Sequence, residues 1–405
     1  MPDHSRDGWR AKAAALSVRH RAFIGGRFVD AADGATFESR NPATGEVLAR
    51  VAACGAEDVD RAVRTARAAF EDGRWARRAP GDRKAVLLRL AGLIRANAEE
   101  LALLDSLDMG KPVAEALAVD VEGAAGIWQW TAEAIDKIAD EVAPTGKGDL
   151  ALIRRVPMGV VGAVVPWNFP LDMATWKCAP ALAMGNSVVL KPAEQSPLSA
   201  LRLAELAAEA GVPEGVLNVV PGLGPVAGRA LGLHMDVDAI AFTGSTATGK
   251  RFMEYSGRSN LKPVWPETGG KSPNLVFADC RDLDRAADMA AFGIFFNAGE
   301  VCSANSRLYV ERGIRDEFVA RLKARAEAIR PGDPLDPATR LGAVVDERPL
   351  SRILGFVEGG RATARLVTGG ERALVDGKGC FVIPTIFDEV RQDDPLAREE
   401  IFGPV

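Results

Sequence analysis

The run Gly159-Val160-Val161-Gly162-Ala163-Val164-Val165-Pro166-Trp167-Asn168-Phe169-Pro170 decides the fold class. It opens on Gly, Ala and Val alone, too short for a helix and bare of polar side chains, which reads as a strand buried on both faces. The same texture repeats downstream. Residues 160–165, 187–190, 216–220 and 239–242 are apolar strand candidates, with helical spacing over 199–210 and 226–233 between them. Strand–helix alternation of this kind predicts a parallel sheet with helices on both faces. Ligands of such sheets bind at the carboxyl ends of strands. Asn168 therefore stands where chemistry is expected, and an Asn amide can donate to a developing oxyanion. A rigid turn between two prolines is the other reading of the same residues.

Working outward, residues 1–20 are polar and read as loosely held. Residues 22–29 alternate around Gly25-Gly26 and predict a hairpin. Val59, Ala62, Val63, Ala66, Ala69 and Phe70 recur at helical spacing over 56–72. A second helix is expected over 81–107, closed by Met109-Gly110-Lys111-Pro112, and a third over 113–139. Residues 141–157 place Pro144-Thr145-Gly146-Lys147-Gly148 between short extended runs and read as a hairpin apart from the core. After Glu267 a second α/β run begins, with strands at 274–277 and 308–310 and helices at 283–295 and 316–329. A helix over 350–358 and a strand over 380–383 follow.

The composition is that of a globular chain: 405 residues, 47% hydrophobic and 26% charged, with net charge −5. That balance argues against a nucleic-acid partner. No run of about 18 apolar residues suggests a membrane span, and residues 1–10 lack the apolar core of a signal peptide. Cys54, Cys178, Cys280, Cys302 and Cys380 are odd in number and widely spaced, so no zinc knuckle or CxxC pair is expected and no metal is assigned. A reducing, cytoplasmic setting fits. The only histidines are His4, His20 and His234, which leaves a Cys–His nucleophile pair almost nothing to draw on.

Five stretches carry possible chemistry. Phe296-Asn297-Ala298-Gly299-Glu300-Val301-Cys302 puts a cysteine just past a Gly turn, able to present sulfur to a pocket; most turn cysteines are inert. Lys191-Pro192-Ala193-Glu194 follows a strand and could grip a ribose, or form a surface turn. Phe242-Thr243-Gly244-Ser245 opens a helix whose N-terminus favours a pyrophosphate, although it is not a G-x-G-x-x-G motif. Glu267-Thr268-Gly269-Gly270 sets a carboxylate before a double-Gly turn, suited to a general base acting through water or to a solvent-facing turn. Glu399-Glu400-Ile401-Phe402 pairs a carboxylate with a ring.

Together, in this order, these stretches resemble the NAD(P)-dependent aldehyde dehydrogenase superfamily over essentially the whole chain from Ala22 to Val405. The resemblance is nearest to the bacterial branch acting on ω-amino, γ-glutamylamino and guanidino butyraldehydes, through Thr131-Ala132-Glu133-Ala134-Ile135-Asp136-Lys137, Leu233-His234-Met235-Asp236, Val276-Phe277-Ala278-Asp279-Cys280 and Pro334-Leu335-Asp336-Pro337. It implies a Rossmann-like NAD-binding domain (1–140 and 158–266), an oligomerisation hairpin (141–157) and an α/β catalytic domain (267–405) that is incomplete at its C-terminus. A homodimer or homotetramer and a small-molecule aldehyde substrate are implied with it.

By the same resemblance Cys302 is the nucleophile, Asn168 and the Cys302 N–H hold the oxyanion, and Glu267 activates the hydrolytic water. Lys191 and Glu194 match the adenosine-ribose grip, Gly244 and Ser245 the pyrophosphate turn, and Gly224 and Pro225 the adenine-side loop. Lys177 and Glu400 match positions near the nicotinamide ribose, with Lys177 grouped among the catalytic residues. Phe402 lies near the ring, and Val165, Trp167 and Phe242 line the groove. A carboxylate at Glu194 bonds ribose hydroxyls and repels a 2′-phosphate, which implies NAD rather than NADP.

Four positions depart from the family pattern: Pro266, Ala298, Glu300 in place of the commoner Gln, and Asp172 in place of an apolar residue. Asp172, with Asp120 and Glu122, is a candidate for holding a cationic substrate tail; each also reads as a solvated helix charge. Two other functions stand beside this reading. One is an acyl-transferring relative that passes the thioester to coenzyme A, against which Glu267 speaks. The other is a shortened, NAD-binding remnant without turnover.

Overall fold

The computed structural model describes residues 3–405. Its main sheet has seven strands, in the order Val264–Thr268, Ala239–Gly244, Val160–Val164, Ser187–Lys191, Leu217–Val219, Ala22–Ile24, Arg27–Val29. The first five are mutually parallel, and the hairpin at residues 22–29 adds antiparallel to one edge. The strand read first in the sequence is the middle of the parallel set, buried throughout. Its side chains divide by parity, as the two-residue repeat of a strand requires. Val161 and Ala163 enter the core beneath the helices Pro80–Ala96, Glu122–Ala134, Pro170–Ala183 and Leu198–Ala210. Val160 and Val164 enter a second core against Ala56–Glu71 and Thr246–Gly257. Gly162 leaves room for its neighbours: a Cβ there would lie 2.6 Å from Ile240 Cδ1 on the paired strand and 3.1 Å from Leu231 Cγ.

After this sheet the chain builds a second, smaller α/β unit. Strands Pro273–Val276 and Arg307–Val310 pair in parallel, packed under helices Leu283–Phe295 and Arg315–Ala328 through Ala287, Ile294, Phe295, Phe318 and Leu322. Helix Glu347–Thr363 and two antiparallel pairs, residues 365–368 with 386–388 and 372–375 with 378–382, complete it. The hairpin Glu141–Ala143 and Ala151–Ile153 pairs only with itself and leaves Val142, Leu150 and Leu152 exposed.

Three expectations needed correction. Residues 6–14 form a helix capped by Ser5 rather than a loose arm; Trp9 is buried, and Arg6 and Arg10 both bond Asp333. The helix expected over 81–107 is two, Pro80–Ala96 and Ala98–Met109. Asn97 breaks it because its side chain bonds Leu93 O at 2.8 Å and accepts from Arg202 at 2.9 Å, competing with the ladder. The helix over 113–139 ends at Lys137 and contains a π-helical turn, Ala116–Val121, that widens the helix beside the site. Helix Pro170–Ala183 follows the Asn168 turn directly, with Pro at its first position.

Candidate active site

Three of the stretches singled out above lie at the carboxyl ends of main-sheet strands, and the other two, 296–302 and 399–402, come from the second unit. Strand 160–164 runs into Val165, buried, and then Trp167 and Asn168. Strand 187–191 ends on Lys191, whose ammonium is buried and bonds Glu194 at 2.9 Å. Burial first holds Lys191 below the usual lysine range, and Glu194, although partly desolvated, is held below the usual carboxylate range by the Lys191 charge and hydrogen bond. Gly224 begins a short π-helical turn, and its backbone hydrogen bond to Glu194 also favours the carboxylate; Pro225 beside it is exposed. Strand 239–244 delivers Gly244 and Ser245, and Ser245 caps helix Thr246–Gly257 by accepting from Thr248 N at 3.3 Å. Phe242 stacks inward against Phe252 with centroids 5.1 Å apart, so it supports this turn from below rather than lining the groove.

Glu267 lies in the edge strand Val264–Thr268, opposite Thr243, with its side chain exposed. Pro266 beside it lacks an N–H to donate, which a sheet tolerates at an edge. The charge of Glu267 acts on Lys177 in helix 170–183, but burial outweighs it and leaves Lys177 below the usual lysine range. Across the double-Gly turn, the Glu400 carboxylate packs so tightly on Gly269 that a Cβ there would lie 1.9 Å from Oε1. Burial raises the Glu400 carboxyl, and burial together with Arg307 lowers the Lys271 ammonium to about 8. Phe402, at φ 59°, meets Trp167 edge-on at 5.3 Å.

The cysteine turn faces this groove from the second unit. Asn297, Ala298 and Gly299 all have left-handed φ (50°, 53° and 72°), so the chain reverses within three residues and brings Cys302 out at the surface. Cys302 is the exposed cysteine of the five; Cys54, Cys178 and Cys380 are buried, with thiols pushed up to about 12 by burial. The turn is bound to the sheet: Asn168 Nδ2 donates to Glu300 O at 2.7 Å, and Asn297 Nδ2 donates to Asn168 O at 3.0 Å. An amide has two N–H donors, and this bond fixes the amide plane of Asn168 while engaging only one.

Behind Asn168 is a polar cluster buried in the core. Lys111 bonds Asp120 at 2.5 Å, both fully buried, and the ammonium lies 3.7 Å from the Phe169 ring centroid. Asp120 is thus not the solvated helix charge its position suggested: Oδ1 is bound to Lys111 and the residue is fully buried, while Oδ2 has no partner among the described residues. Glu122 is exposed and pairs with Arg95 at 3.4 Å. Asp172 is different. It is half-buried beside Gly123, its Oδ1 has no hydrogen-bond partner among the described residues, and burial, aided by the Asp120 charge, pushes its carboxyl up to about 7. Trp176, one turn further along the helix, is exposed. The sequence reading missed the aromatic row Phe169, Phe296 and Phe292, with successive centroids 6.2 and 5.1 Å apart. The spacing of Phe292 and Phe296, four apart in sequence, was the available signal.

The fold is thus a doubly covered parallel sheet with strand-end loops facing a cysteine turn, the layout of a dinucleotide-dependent oxidoreductase. Residues 28–405 match the aldehyde dehydrogenase family, and the chain belongs to it. It is 52% identical, over all of its own length and 81% of the relative's, to the NADP/NAD-dependent aldehyde dehydrogenase PuuC of Escherichia coli (strain K12). Among solved structures it resembles the γ-glutamyl-γ-aminobutyraldehyde dehydrogenase of Burkholderia cenocepacia J2315, with 56% identity, TM-score 0.97, and 99% of this chain and 81% of that one covered. An indole-3-acetaldehyde dehydrogenase solved with NAD+ superposes with TM-score 0.98 at 54% identity, over 99% of this chain and 81% of that one.

Proposed function

We propose that this aldehyde dehydrogenase oxidises an ω-amino, γ-glutamylamino or guanidino butyraldehyde to the carboxylic acid, using NAD and a covalent intermediate on Cys302. The observation that carries the reading is the Asn168–Glu300 bond, which joins the exposed cysteine's turn to the strand-end loop beside the groove. NAD, when bound, supplies the hydride acceptor. The residues present fit such a dinucleotide. Lys191 and Glu194 offer a buried cation and a carboxylate to ribose hydroxyls, and the capped helix start at Ser245 offers N–H groups to a pyrophosphate. Lys177, which feels the charge of Glu267, and Glu400, two residues before Phe402, are assigned to the nicotinamide end.

In this mechanism Cys302 Sγ attacks the aldehyde carbon, and the free amide hydrogen of Asn168 with the Cys302 N–H stabilises the oxyanion. Glu267 takes a proton from the water that hydrolyses the thioester remaining on Cys302 after oxidation. Lys177 tempers the charge of Glu267. Asp172 holds the cationic tail, and an aromatic row such as Phe169, Phe296 and Phe292 suits cation–π contact. The name of a similar solved structure, a γ-glutamyl-γ-aminobutyraldehyde dehydrogenase, supports this substrate class. The main sheet with its covering helices supports an NAD-binding part (1–140, 158–266) and the second α/β unit a catalytic part (267–405), with strand Val264–Thr268 crossing the boundary. The exposed apolar side chains of hairpin 141–157 support self-association as a dimer or tetramer. NADH formation from a panel of amino-, guanidino- and plain alkyl aldehydes tests the reading: cationic substrates lead by catalytic efficiency, and equal efficiencies across the panel would refute the tail assignment.

A further inference from the structure

Glu300 is a carboxyl group in a place that should repel one. It is fully buried two residues before Cys302, and three of its groups are committed. Its N–H donates to Asn297 O at 3.0 Å. Its carbonyl oxygen accepts from Asn168 Nδ2 at 2.7 Å and from Asn297 Nδ2 at 3.3 Å. Its side-chain Oε1 accepts from Val345 N at 3.1 Å, while Oε2 has no partner among the described residues. One residue therefore ties three chain segments together: the strand-end loop at Asn168, the cysteine turn, and the buried segment Ala343–Val345, which itself bonds Gly110 O through Ala343 N at 3.0 Å.

We propose that Glu300 is a positioning residue of the reaction: main chain and side chain clamp the turn 297–302 between Asn168 and Val345, and so keep both oxyanion donors aimed at one point. The inference rests on the roles given above to Cys302 and Asn168. Without the side-chain bond to Val345, the turn is anchored on one side only, and its left-handed residues are free to relax. The clamp also demands a neutral side chain. A carboxylate with a single N–H donor and no counter-ion is strongly disfavoured in the core. Burial first, and the charge of Asp346 next, hold this carboxyl far above the ordinary range, with only Lys111 and the Val345 bond acting the other way. Asp346 is the acid adjacent to Val345, and Lys111 is already bonded to Asp120. Glu300 is thus a hydrogen-bonding acid, and Glu300→Gln keeps both the shape and the acceptor.

The test compares the full chain with its E300Q, E300A, C302S and N168A variants. Measurements are kcat and KM for the aldehyde, the pH profile of kcat, the rate at which iodoacetamide alkylates Cys302, and Tm. E300Q keeps kcat within about threefold of the parent, whereas E300A lowers it by about a hundredfold, the scale of losing an oxyanion donor. E300A also changes the alkylation rate of Cys302 severalfold, while the KM for NAD stays within about twofold. At alkaline pH the parent loses activity as Glu300 ionises, and E300Q lacks that decline. If E300A does not fold, this alkaline limb alone decides. Equal kcat in E300A and parent, or an alkaline decline that E300Q retains, overturns the clamp. If C302S or N168A keeps full turnover, it is the catalytic assignment that fails rather than the clamp.

Discussion

Lys191 and Glu194 form a bond of 2.9 Å at the end of the strand next to the central one, with the ammonium buried and the carboxylate still partly open to the groove. On the proposed reading, that asymmetry favours NAD over NADP. The cation is committed to Glu194, so it is a weak partner for an added phosphate, and the open carboxylate accepts ribose hydroxyls.

Replacing Glu194 by Ser removes the acceptor and frees Lys191. The ratio of kcat/KM for NAD to that for NADP falls by about tenfold or more, equivalent to about 1.4 kcal/mol or more. Comparing the two cofactors at fixed aldehyde checks this, and an unchanged ratio would remove Glu194 from cofactor selection.

With Asp172 in the proposed role of tail acceptor, recognition of a cationic substrate depends on pH. Its carboxyl is pushed up to about 7 by burial and by Asp120, so the ionised fraction rises as pH passes through 7. The KM for a guanidino aldehyde accordingly falls between pH 6 and 8, while that for a neutral alkyl aldehyde does not follow. Asp172→Leu abolishes the difference and weakens the cationic substrate by about tenfold, a charge-assisted bond's worth.

Much of this was readable beforehand, and the boundary has physical causes. The parallel sheet was legible because its strands are buried on both faces and so carry uninterrupted apolar runs, as in 160–164. The edge strand Val264–Thr268 was not, since its side chains are mostly exposed and Pro266 interrupts the pattern. Strand ends and glycine turns singled out Cys302, Asn168, Glu267, Lys191 and Glu194 as candidates, but their roles came from the family resemblance and not from the local pattern. The Lys111–Asp120 pair was invisible: a lysine at a helix stop reads as solvated until the π-helical turn brings Asp120 over it. Asn97 shows the same limit, because one side-chain bond decided where a long helix broke.

Glu115 offers a test of the buried acids by stability. Burial raises its carboxyl to about 7 from an ordinary value of 4.5. A folded value above the unfolded one contributes stability below the unfolded value and loses it as pH rises through the folded value. Thermal unfolding of Glu115→Gln should match the parent near pH 5 and exceed it at pH 8. A constant difference across that range would mean that Glu115 does not titrate there.

Gly299 should tolerate no side chain. Its φ is 72°, and a Cβ would lie 2.2 Å from Gly403 O, where the segment carrying Phe402 crosses the cysteine turn. Gly299→Ala costs at least about 2 kcal/mol in unfolding free energy, since neither backbone can yield. Chemical denaturation measures it, with Gly257→Ala, in open space, as the tolerant control.

The central claim is that Cys302 carries the substrate as a thioester that Glu267 releases. It is tested most directly by mixing the Glu267→Gln chain with NAD and 4-guanidinobutanal and analysing the digested protein by mass spectrometry. The account predicts a burst of NADH of about one equivalent per active chain and an acyl adduct on the peptide containing Cys302, both absent from C302S. An adduct on another residue, or a burst that survives in C302S, would contradict it.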